Sequence, residues 1–97
     1  MPILLSSRTV RAPDVEFRRD GEVAVLLKNQ VFIGLDAIGT QMWTVLTEAT
    51  SIQRAYEVLL DEYDVNAEQL RCHLLEFIGE LEQNGLIEIW HNDRPIR

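Results

Sequence analysis

Residues 31–46 read VFIGLDAIGTQMWTVL, and their hydrophobic period changes once, at Asp36. Before it, Val31, Phe32, Ile33, Gly34 and Leu35 make a short apolar run of strand length. After it, Ile38, Met42, Val45 and Leu46 recur at helical spacing, with Trp43 alongside. The Asp marks the switch, because a carboxylate there accepts from the otherwise unpaired amides of a first helical turn. A strand running straight into a capped helix places sheet and helices in one domain.

Working outward towards the N-terminus, Lys28-Asn29-Gln30 is a polar turn. Val23, Val25 and Leu27 alternate with Glu22, Ala24 and Leu26, the period of a half-buried strand. Asp20-Gly21 ahead of them is a tight-turn dipeptide. Upstream, Val10, Val15 and Phe17 lie among charges, with Pro13 interrupting, so residues 9–19 supply a single strand, on one side of the proline or the other. Residues 1–8 have no periodicity and are expected to be flexible.

Towards the C-terminus, Thr50 with Gln53 fits a capping box. The stripe Ile52, Ala55, Tyr56, Leu59, Leu60 and Tyr63 then predicts a second helix, broken at Asp64-Val65. Asn66 with Gln69 repeats the capping arrangement and opens the longest helix. There Leu70, Leu74, Phe77, Ile78 and Leu81 fall within about 100° of arc. Asn84-Gly85 ends it as a left-handed cap. Leu86, Ile87, Ile89 and Trp90 predict a closing strand or docked tail, and residues 91–97 are expected to be flexible. The expected fold is α+β and winged helix-turn-helix-like: a small antiparallel N-terminal sheet packed on three helices, one domain over residues 1–97.

The charge balance narrows the partners. Nine basic against 16 acidic residues give a net charge of −7, the wrong sign for a polyanionic phosphate backbone. This sets aside nucleic acid and anionic membrane in favour of neutral or basic partners. No apolar run is long enough to span a bilayer, and the start MPILLSSRTVR lacks the basic flank and apolar stretch of an export signal. Cys72 is the lone cysteine, so no internal disulfide forms. A cytoplasmic location is expected.

Catalytic chemistry finds no support. His73 sits beside Cys72, but adjacent helical residues point about 100° apart and do not face each other. Cys72 reads as a small, partly buried residue and His73 as a helix-surface residue flanking the core stripe. His91 has no metal-spaced neighbours. Glu76, Glu80 and Glu82 read as a solvated face, and Gly34 and Gly39 lack the lysine of a phosphate loop. No enzyme activity, cofactor or metal is expected.

The outline of three helices with the last one longest suits a winged helix that reads DNA. Yet residues 66–84 carry a net −3, with Arg71 their only Lys or Arg, and phosphate would repel them. What that helix offers instead is apolar surface beyond one stripe, at Leu75 with Cys72 and Gly79. The strand Val31–Leu35 carries neither charge nor proline, the usual guards of a sheet edge. If it lies at the edge, an extended peptide pairs with it by strand addition, in a groove lined by the third helix.

The run quoted above, 31–46, and LLDEYDVNAEQLRCHLLEFIGELEQNGLIEI, 59–89, together resemble the PqqD-like family. The likeness lies in a strand leading through Gly-Leu-Asp to a helix with Gly and Trp, a Tyr-Asp-Val linker, a Leu/Phe-repeat helix and a closing Gly-Leu-Ile. It covers roughly residues 20–90. The resemblance implies a winged-helix-like recognition element that binds the leader of a ribosomally made, post-translationally modified precursor peptide. The leader joins as a strand between the third strand and third helix of the family fold. It is then delivered to a modifying enzyme, either a radical SAM enzyme in pyrroloquinoline quinone synthesis or a leader peptidase and cyclase in lasso-peptide pathways. Carried over, the peptide-binding strand is Val31, Phe32 and Ile33. The helix side includes Leu70, Leu74, Leu75 and Phe77, with Arg71 and His73 at its rim. Two departures stand out: His73 occupies a position where many members carry Asp, and residues 3–19 match poorly. GLDAIG with Trp43 is closer to the lasso-type and standalone members than to the quinone-cofactor protein. The alternative reading is a winged-helix DNA-binding or protein-interaction domain in regulation.

Overall fold

The computed structural model describes residues 7–91 together with Arg94 and Pro95. The order of elements is β1 (Arg8–Arg11), β2 (Glu16–Asp20), β3 (Val23–Lys28), β4 (Val31–Leu35), α1 (Ala37–Glu48), α2 (Ile52–Glu62), α3 (Ala67–Gln83), β5 (Ile87–His91) and β6 (Arg94–Pro95). The class is the expected α+β, but the strands divide into two sheets. One is β2-β3-β4, a meander closed by two-residue loops; the other is β1-β5-β6. Pro13 separates β1 from β2, so the expected strand becomes two, one in each sheet. The closing segment pairs back with the N-terminus, Thr9 opposite Ile89.

Local chemistry explains most boundaries. Gly21, at φ +66°, opens the first hairpin loop, and Asn29 and Gln30, at +51° and +66°, form the second. Two positive φ values in a two-residue loop match the right-handed twist of the flanking strands. Asp36 caps α1, its carboxylate accepting from the Gly39 amide at 2.7 Å. Asn66 caps α3 through the amides of Glu68 and Gln69. The cap of α2 is Ser51, accepting from Arg54, and not Thr50 as its spacing with Gln53 suggests. At the end of α3, the Leu86 amide donates to Leu81 and that of Gly85 to Glu82, the paired bonds of a Schellman turn. Gly85 takes φ +70°, and a Cβ there would sit 2.8 Å from Lys28 Nζ.

The core lies between the helices and the inner faces of both sheets. In β3 the buried face is Ala24 and Leu26, while Val23 is exposed and Val25 and Leu27 half-buried. Phe17 from β2 stacks on Trp43 of α1, ring centroids 6.2 Å apart, and locks the meander to the first helix. Ser7 is buried and its carbonyl accepts from the Ile52 amide at 2.7 Å. Ser7 and Arg8, expected to be flexible, are therefore held. Of the other residues so expected, 1–6, 92, 93, 96 and 97 lie outside the described residues. Among the described residues, no helix is long and apolar enough to cross a membrane.

Candidate functional site

A cleft of about 460 Å³ opens between β4 and α3. Ile33, Gly34 and Leu35 form one side, and Asp36, Ile38, Gly39 and Met42 continue it into α1. His73, Glu76, Phe77, Glu80 and Leu81 of α3 and its C-cap Asn84 form the other, with Leu86 beyond. The α3 residues recur at three- and four-residue intervals, so they make one face of that helix. Asp36 supplies a cap to α1 and a carboxylate to the cleft at once.

β4 lies at the edge of its sheet, paired with β3 alone among the described strands. Other edges are guarded. β2 carries Glu16, Arg18, Arg19 and Asp20, β1 carries Arg8 and Arg11, and β6 is Arg94–Pro95. β4 carries neither charge nor proline, and charge and proline are what normally block an edge.

The hairpin register decides which backbone groups that edge presents. A two-residue loop makes Lys28 and Val31 the first pair to exchange both bonds. Bonded pairs then alternate along the ladder, so Leu26 bonds Ile33 and Ala24 bonds Leu35. The amides and carbonyls of Phe32 and Gly34 consequently point away from β3, into the open edge. Their side-chain positions lie on the outer face of the sheet, opposite Leu27 and Val25, while Ile33 faces inward.

The residues expected at the site are only partly brought together. Ile33, His73 and Phe77 line the cleft. Val31 and Phe32 are strongly exposed, Phe32 at 71%, with the Phe32 side chain on the outer face. Leu70 and Leu74, 5% and 1% exposed, are core residues that leave nothing for a guest to touch. Arg71 and Leu75 project about 160–200° around the helix from the cleft row. Cys72 is exposed, not partly buried, and belongs with Leu75 and Gly79 on the flank turned away from the cleft.

Glu76, Glu80 and Asp36 are the residues that sequence reasoning missed. Two flanks border the core stripe of α3; the more apolar one attracts attention, and the acidic one faces β4. The available signal was that His73, Glu76, Phe77, Glu80 and Asn84 share a face containing an aromatic. Among the described residues, no Lys or Arg lines the cleft. Lys28 sits at one end, between the lining residues Asn84 and Leu86, where its Nζ donates to the Gly85 carbonyl at 2.6 Å and lies 3.6 Å from Asp14. Among the described residues, no group of His, Cys, Asp and Glu is arranged to hold a metal.

A family model described as coenzyme PQQ synthesis protein D matches residues 23–87, from the start of β3 into β5. Among solved structures, the chain is similar to TbiB1 in complex with the TbiA(beta) leader peptide. That match has a TM-score of 0.77 and 25% identity, covering 86% of this chain and 99% of that one. No curated protein matches the chain.

Proposed function

Because the chain belongs to the family of coenzyme PQQ synthesis protein D, whose model spans two thirds of it, we propose that it captures the leader of a ribosomally made precursor peptide and presents it to a modifying enzyme. The observation that carries this reading is the bare edge of β4, with Phe32 and Gly34 offering backbone donors and acceptors beside the α3 cleft. An extended leader adds there as a further strand. Main-chain bonds supply affinity, and alternate side chains enter the cleft. The similar fold that holds a leader peptide supports the same role.

The residues assigned to the guest are Ile33, Phe77 and His73 within the cleft, with Val31 and Phe32 along the exposed edge. Leu70 and Leu74 belong to the core cluster against which Phe77 packs. The chain acts by binding, in the cytoplasm, and chemistry belongs to the partner, a radical SAM enzyme or a leader peptidase and cyclase. DNA reading is disfavoured by the carboxylates that α3 exposes where phosphate would lie.

Calorimetry with synthetic leaders of short precursors encoded beside this chain tests the proposal. Micromolar or tighter binding by one of them is expected, and no binding by any neighbouring leader overturns it.

A further inference from the structure

Resting on that reading, we propose that the cleft selects a guest strand carrying a Lys or Arg on the same face as an apolar side chain. Strand addition alone reads backbone and is nearly blind to sequence, so selection falls to the walls. The floor is apolar, at Ile33 and Phe77, and carboxylates stand on both sides of it. Glu76 and Glu80 lie along α3, and Asp36 lies across the cleft at the start of α1.

Neither Glu76 nor Glu80 has an ion-pair partner among the described residues, and both are exposed. Like charges four residues apart disfavour a helix on its own, an unfavourable arrangement that a docked cation relieves. Lys28, at one end of the cleft, is already engaged with Gly85 and Asp14. An acidic guest would meet carboxylates on both walls and be rejected.

The spacing fits as well. Glu76 and Glu80 are about 6 Å apart along the helix axis. Successive same-face residues of a strand are separated by about 6.6 Å. A guest residue seated between the bonded positions opposite Phe32 and Gly34 shares the inward face of Ile33 and meets Phe77. Its neighbour two positions along then falls at the level of a glutamate.

A random dodecapeptide library displayed against the whole chain tests this, with Gly34→Pro as a second target. That substitution removes an amide from the edge without touching the β3 ladder. Expected are binders lost on Gly34→Pro and enriched for Lys or Arg two positions from an aliphatic or aromatic residue. A Glu76→Lys, Glu80→Lys double variant should bind the best such peptide about three- to tenfold more weakly, as a pair of half-screened ion pairs implies. It should also prefer that peptide's Lys→Glu version. Binders lost on Gly34→Pro but without basic enrichment overturn the inference and leave strand addition standing, as does a double variant that binds the basic peptide undiminished. A selection yielding no binder sensitive to Gly34→Pro overturns strand addition and the inference with it.

Discussion

Leu74 and Phe77 stand less than one turn apart on α3, and their surroundings assign them different tasks. Leu74 is 1% exposed among core residues, whereas Phe77 is half-buried and lines the cleft. Leu74→Ala therefore removes packed methyl groups, and urea unfolding should register a loss of about 2–5 kcal/mol. Phe77→Ala should cost less stability but weaken leader binding at least tenfold in calorimetry. Gly85 is constrained by backbone, not by contacts with a guest. At φ +70° with Lys28 Nζ in the way of a Cβ, Gly85→Ala should lose about 1–2 kcal/mol in the same unfolding measurement, since alanine strains that turn. Leu74 and Phe77 lie on one hydrophobic stripe, and periodicity cannot separate them. Which edge of the stripe meets a neighbour depends on where β4 lands.

β4 carries the element-scale prediction. Its bonded residues are Val31, Ile33 and Leu35, and its free ones Phe32 and Gly34. Gly34→Pro should keep the melting temperature within a few degrees and abolish leader binding, because proline is tolerated where the N–H faces out of an edge. Ile33→Pro removes a ladder bond and should lower the melting temperature markedly. The strand itself and the helix starts at Asp36 and Asn66 are readable from sequence, since capping is chemistry between neighbours. The division into two sheets is not, because pairing β1 with β5 joins segments nearly eighty residues apart, beyond any local pattern. Neither is the buried face of β3, where both alternating sets are largely apolar and only the contact with α1 chooses Ala24 and Leu26. The cap at Ser51 in place of Thr50 is a one-residue ambiguity between two hydroxyls.

At the scale of the molecule, the cleft exists because the β2-β3-β4 sheet is held at a fixed angle to the helices. The Phe17–Trp43 stack anchors it at α1, and Lys28 ties the hairpin to the end of α3. Lys28→Met should cost about 1 kcal/mol in unfolding, for a charge-assisted bond that is partly exposed to solvent. Net charge was informative about partners, since the acidity that argues against phosphate is concentrated partly on the cleft wall. Sequence alone reads those carboxylates as a solvated face, because it does not show that a strand edge lies opposite them. The most direct test of the account is backbone amide exchange, followed residue by residue with and without the cognate leader. Strand addition predicts that the amides of Phe32 and Gly34 change from fast to strongly protected while those of the β2 edge stay as they were. Unchanged exchange at Phe32 and Gly34 in a saturated complex would contradict it.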